Sequence, residues 1–488
     1  MNLFERRRTG ILLHPTSLPG SVDSGELGAD AYHFIDFLAD CGVSLWQMLP
    51  LGPTHSDRSP YQCLSVHAGD TRLISLQRLV EAGWLDDASL DPRKDIDTQR
   101  QMRLAAAYNG FLRHADGDAR AAFEAFSEQH ADWLDDFALY QALRGDFSNS
   151  AWFDWPEPLR DREPGALNEA RKRLASAIER VRFEQFLFFQ QWTQLRHYAN
   201  ERGVLLFGDI PIFVAYDSAE VWSNRQWFLL DERGGLKVVA GVPPDYFSET
   251  GQRWGNPHYD WEAMAADGYS WWLDRFRTQL ELFDLMRIDH FRGFEAYWEI
   301  DAASDTAVEG RWVTGPGANF FEALRQTFGD LPLVAEDLGV ITPEVTALRL
   351  QFGLPGMKIL QFAFDGSPEN PYLPHNHEPL SVVYTGTHDN NTTLGWYEEL
   401  HEEQRHFVCD YLGAEIAGMP WPLVRAALAS VAKIAVLPMQ DVLGLDASHR
   451  MNIPGVAKGN WQWRFEWDQL LPEQGERLKA WVRLYGRA

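Results

Sequence analysis

Eight short apolar runs, each closing on polar or acidic residues, constrain this 488-residue chain more than any other feature. They begin at Thr9 (TGILLHP), Val43 (VSLWQMLPL), Val204 (VLLFGDIPIFV) and Phe283 (FDLMRIDHF), then at Pro332 (PLVAEDLG), Gly356 (GMKILQFAF), Ser381 (SVVYTGTHD) and Lys433 (KIAVLPMQD). Continuous apolarity without alternation is the pattern of strands buried on both faces, and therefore of a parallel sheet. Helical patterns separate most of the runs: DAYHFIDFLADCG from Asp30, ANFFEALRQTFG from Ala318 and TPEVTALRLQFG from Thr342. The last two end on Gly, which stops a helix readily. Eight such strands alternating with helices predict an α/β chain closed into a (β/α)8 TIM barrel.

Two connections are too long to be simple crossovers, one after the second strand and one after the third. The reading is a single catalytic domain over residues 1–488 carrying a mostly helical insertion at about 70–202. A second insertion at about 215–282, rich in Gly, Pro and aromatic residues, is expected to cover the site. No internal repeat or low-complexity linker divides the chain.

The charge balance narrows the partners. Seventy acidic against 44 basic residues leave a net charge of −26, which repels phosphate backbones and anionic lipid surfaces. Neither nucleic acid nor membrane is an expected partner, and a monomer is compatible with every feature read. Three cysteines without CxxC spacing give neither a disulfide framework nor a zinc site, so a reducing compartment is expected. The first ten residues, MNLFERRRTG, lack the apolar stretch of a signal peptide, and the expected location is the cytoplasm.

In a parallel barrel the C-terminal strand ends share one face, so the residues closing the eight runs should meet in one pocket. They are Asp209, Arg287, Asp289, Glu336, Asp337, Asp365, His388 and Asp389. Arg287 and Asp289, two apart on one strand, point the same way, and the cation favours an ionised carboxylate fit to act as a nucleophile. An ion pair closing the barrel end is the structural alternative. A retaining glycosidase needs a second carboxyl group that holds its proton, and Glu336 or Asp337 supplies it; strand alternation lets only one of them face the pocket. His388 and Asp389 are placed to stabilise an oxocarbenium-like transition state. HExxH and EF-hand spacings are missing, so neither a metal nor an organic cofactor is expected.

The stretches GILLHPTSLPG, SPYQ, GDIPIFV, GVPPDYFSETGQRWGNPHY, RIDHFRG, AEDLG, THDNNT, MNIPG and GNWQWR together resemble the amylomaltases, bacterial 4-α-glucanotransferases, over nearly the whole chain. The resemblance implies that Asp289 is the nucleophile, Glu336 the general acid/base and Asp389 the transition-state stabiliser. It also implies substrate contacts by Tyr61, Asp209, Trp254, Asn256, Arg287, His290, Asp365 and His388, with Tyr246 and Phe247 on a covering loop. The implied reaction moves a segment of an α-1,4-glucan donor such as a maltodextrin to glucose or another glucan. An α-amylase-type hydrolase and a catalytically idle glucan-binding protein are the rival readings.

Overall fold

The computed structural model describes residues 3–244, 248–413 and 418–488. In chain order its strands are β1 (Arg8–Leu12), β2 (Leu45–Gln47), β3 (Leu205–Pro211), β4 (Val238–Val242), β5 (Gln252–Pro257) and β6 (Leu285–Asp289). They continue with β7 (Ala296–Asp301), β8 (Arg311–Thr314), β9 (Leu333–Ala335), β10 (Gly356–Ile359), β11 (Ser381–Tyr384) and β12 (Ile434–Pro438). Eight of these, in the order β10-β11-β12-β1-β2-β3-β6-β9, form one all-parallel sheet that curls into a barrel, and each corresponds to one of the eight apolar runs.

Side chains alternate across that sheet for the ordinary reason that successive Cβ atoms point to opposite faces. Leu12, Leu45, Phe207, Leu285, Val334, Met357, Val382 and Ile434, one from each barrel strand, pack into the interior. Their neighbours Ile11, Trp46, Leu206, Met286 and Ala435 pack outward in the larger core beneath the surrounding helices. Burial on both faces is why the strands read as unbroken apolar runs.

The barrel closes between β9 and β10 with help from a side chain. The Ala335 amide donates to the Pro355 carbonyl at 2.9 Å, and the Met357 amide donates to the Asp337 carboxylate at 2.7 Å. Asp337 thus stands in for a ladder carbonyl, and Arg349 lies 3.1 Å from its other oxygen. Burial pushes its carboxyl upward, against the Met357 amide and Arg349, which favour the ionised form. A Cβ at position 356 would sit 2.3 Å from that carboxylate, so the seam requires Gly356.

Between β2 and β3 the chain folds into helices including Ile96–His114, Ala131–Asp146 and the 27-residue Ala175–Glu201, which packs along the barrel. A second, antiparallel sheet in the order β5-β4-β7-β8 joins strands from before and after β6. The sequence reading did not anticipate it: QRWGNP is polar and interrupted by Gly and Pro, and RWVT is only four residues long, so neither carries an alternating pattern. Among the described residues no helix is long and apolar enough to cross a membrane.

Replacing Asp337 by Ala should strand the buried Arg349 guanidinium and leave the Met357 amide without its acceptor. The expected loss is ~3 kcal/mol of stability, read as a lower denaturant midpoint with an unchanged slope. An unaltered midpoint would mean that the carboxylate does not hold the seam.

Candidate active site

The C-terminal ends of β3, β6, β9 and β11 open onto a cleft with about 510 Å³ of free space, within the range of small-molecule sites. Tyr61, Trp254, Asn256, Asp289, His290, Glu336 and Asp389 line it, together with Arg287. The parallel sheet brings together side chains that are far apart in the chain, because all its strands open toward the same end.

Arg287 is the centre of the arrangement. The β3–β6 register sets Asp209 beside Arg287, and Asp289 follows two residues later on the same face. The guanidinium donates to both Asp209 oxygens at 3.0 and 2.7 Å, to Asp289 Oδ1 at 2.8 Å and to the Tyr61 hydroxyl at 3.0 Å. Tyr61 in turn donates to Asp209 at 2.7 Å. Burial disfavours the guanidinium charge, yet the surrounding oxygens outweigh it and hold Arg287 firmly ionised. Burial and Asp209 push the Tyr61 hydroxyl well above its usual range, so it remains a neutral donor. Asp209 is fully buried beneath Tyr61 and communicates with the cleft through Tyr61 and Arg287.

Burial acts in the same direction on Asp289 and Glu336. Burial raises Glu336 to about 7, against the opposing pull of Arg287 and of the His290 and Leu338 amides that donate to its two oxygens at 2.7 and 3.1 Å. Burial also pushes Asp289 upward, and Asp209, Glu336 and Asp389 add to that push while Arg287 resists it. Both carboxyls are thus pushed toward the protonated form, and their donors distinguish them: Glu336 accepts from neutral amides, whereas Asp289 accepts from the Arg287 cation, which favours its ionised form.

Asp389 is held differently. Its side chain is half exposed, accepts from Asn452 at 2.6 Å and lies 3.4 Å from His388 Nε2. Arg450 donates to its backbone carbonyl at 2.9 Å. His388 lies against the ring of Tyr61 with centroids 5.2 Å apart and planes inclined by 16°, and Trp461 closes against both. Burial lowers the His388 pKa.

His290 adopts a left-handed backbone at φ 52°, costly for a residue with a Cβ, and that turn is what points its amide at Glu336. Its ring meets Trp254 edge-on at 4.9 Å, burial depresses its pKa to about 3, and its Nε2 has no protein partner. The imidazole is thus neutral, with one buried nitrogen left unpartnered. Asn256 spends its amide on scaffold, donating to the Val214 carbonyl at 2.8 Å and accepting from Gln62 at 3.2 Å. Asp365 stands apart: it is exposed, accepts from the Ser367 amide in a turn and does not line the cleft. Tyr246 and Phe247 lie outside the described residues.

Sequence reasoning assigned no role to Asn452 or Trp461, although both fall in stretches, MNIPG and GNWQWR, that carry the family resemblance. Neither closes a strand, so the rule that found the carboxylates could not find them. The chain does hold one His-x-His pair, His375 and His377, but Tyr411, Pro368, Ser430 and Tyr372 occupy all four ring nitrogens. Among the described residues no group of three or more His, Cys, Asp or Glu side chains is arranged to hold a metal ion.

Comparison with known proteins places the chain in a family. The family described as 4-alpha-glucanotransferase matches residues 13–470. A 4-alpha-glucanotransferase of Thermus thermophilus is 51% identical over 97% of this chain and 98% of its own, and one of Synechocystis is 48% identical over 99% of both. Among solved structures, the amylomaltase of Streptococcus agalactiae in complex with acarbose superposes with a TM-score of 0.95 at 36% identity, covering 99% of this chain and 100% of that one. The chain belongs to the 4-alpha-glucanotransferase family, glycosyltransferases that act on α-1,4-glucans.

Proposed function

We propose that this cleft performs the transfer by a retaining double displacement in which Asp289 is the nucleophile and Glu336 the general acid and base. The observation that carries the reading is the unequal set of donors to two buried carboxyls: Asp289 accepts from the Arg287 cation at 2.8 Å, while Glu336, raised to about 7 by burial, accepts from neutral backbone amides. In the first step Asp289 attacks the anomeric carbon of an α-1,4-glucan, and the Glu336 proton passes to the departing 4-oxygen. In the second, the 4-hydroxyl of glucose or another glucan attacks the same carbon, gives its proton to Glu336 and displaces Asp289. Two inversions restore the α-configuration.

Asp389, steered by Asn452, balances the positive charge that grows on the sugar ring during both steps. Tyr61 supplies a flat face for the sugar beside the nucleophile, and the neutral His290 nitrogen takes a hydroxyl. Asp209 positions Arg287. Asp365, at a distance from the open cleft, enters only if a long glucan reaches the turn that it caps. No step requires a metal or an organic cofactor. The mostly helical stretch at about 70–202 is read as support for the barrel wall, and the segment at about 215–282 as cover for the cleft.

Incubation with maltotriose alone tests the transfer: glucose accompanied by a ladder of maltodextrins longer than the substrate is the expected product set. Glucose and maltose with nothing longer would mean that water is the acceptor. In the same assay Asp289→Asn should lose at least ~10³-fold in kcat with the fold intact; retention of most of the wild-type rate would remove Asp289 from the nucleophile's role.

The pH profile supplies an independent check. Bond cleavage needs Glu336 protonated, so kcat/KM should fall as pH rises through about 7, by roughly tenfold per unit beyond it. A rate that stays level well into the alkaline range would assign the acid to another group.

A further inference from the structure

Trp312 is not among the residues the sequence singled out, yet it lines the cleft with 42% of its surface exposed. An indole left open on the wall of a cleft presents a flat apolar face to whatever the cleft binds. Its support is built. The Arg292 guanidinium lies 3.8 Å from the centroid of the indole and covers one face. Arg292 is itself buried, and it donates to the Val340 carbonyl. Trp298, on the adjacent strand, meets the indole nearly edge-on at 5.3 Å. With one face and one edge taken, the remaining surface looks into the cleft.

Topology decides which end of a bound glucan this surface meets. Trp312 lies on β8, in the stretch of chain that connects β6 to β9, and Arg292 ties it to Val340, four residues beyond Glu336. Trp312 therefore stands over the rim on the Glu336 side of the cleft. Tyr61 and His388 stack on the opposite side of Asp289, around the Arg287 cluster. A general acid must face the leaving oxygen, so the Glu336 side receives the part of the glucan that departs and the acceptor that replaces it. Val340, 60% exposed beside Arg292, extends the apolar rim in the same direction.

We propose that Trp312, braced by Arg292, is the stacking platform for the acceptor glucan, and so sets how well a second sugar chain competes with water for the glycosyl enzyme. The apolar face of a glucose ring fits the open indole, and the guanidinium behind it keeps the ring from turning away. The inference rests on the double-displacement reading, with Glu336 facing the leaving group.

The test separates the two halves of the reaction with α-maltosyl fluoride as donor and maltose as acceptor. In the first half the C1–F bond breaks, fluoride departs with the proton of Glu336 and C1 bonds to Asp289; no acceptor-side sugar takes part. In the second, the maltose 4-oxygen bonds to C1, its proton returns to Glu336 and Asp289 is released, giving maltotetraose. Trp312→Ala should leave fluoride release without acceptor unchanged, raise the KM for maltose by about tenfold and divert glycosyl enzyme to hydrolysis. Trp312→Phe should recover most of the acceptor affinity. An unchanged maltose KM in Trp312→Ala, or fluoride release falling in parallel with transfer, would overturn the proposal. If the wild-type protein releases no fluoride or forms no maltotetraose, the double-displacement reading fails and this inference falls with it, an outcome visible before any variant is made.

Discussion

A buried guanidinium with oxygen partners on three side chains is the interaction on which the site depends. Arg287 sits inside the barrel mouth, where an unpaired charge would be costly, and it is satisfied only because β3 and β6 are hydrogen-bonded in a register that places Asp209 next to it. That pairing orders Tyr61 through two hydrogen bonds, and the guanidinium nitrogen that meets Asp209 and Tyr61 also donates to Asp289. Remove the cation and three acidic oxygens and a phenol would face one another in a half-dry pocket, a state the fold has no other means to neutralise.

The different surroundings of the carboxyls follow from the same geometry. Asp289 ends β6, Glu336 follows β9 directly and Asp389 lies in the loop after β11, yet of the three only Asp289 touches the cation. Glu336 accepts two backbone amides, which fix its direction without giving it a counter-charge, and burial then keeps its proton near neutrality. The left-handed turn at His290 is the local strain that makes this possible, because it aims an amide of the chain leaving β6 at a side chain leaving β9. Asp389, tethered by Asn452 and half exposed, is free of both constraints.

Much of this was legible before any coordinates. Buried parallel strands are apolar on both faces, so the eight runs stand out, and the convergence of their ends makes a residue such as Asp289 conspicuous from its position alone. Glu336 and Asp337 illustrate the limit. The residues left open which of them faces the pocket; the structure turns Asp337 into the β9–β10 seam against Met357 and Arg349. The same limit hid the antiparallel sheet, whose strands owe their pairing to one another more than to any pattern of their own. It also hid Asn452, Trp461 and Trp312, which reach the cleft from loops and from an edge strand.

The amino-acid sequence by itself determined the barrel, the set of acidic strand ends and the family, since these follow from local apolarity and from motifs read along the chain. Only the tertiary structure decided which oxygen meets which donor, which of two adjacent acids faces the cleft, and which aromatic rings are left open. The reason is that a carboxyl's proton and an indole's exposed face are set by atoms within a few ångströms, and those atoms come from parts of the chain that no local pattern connects.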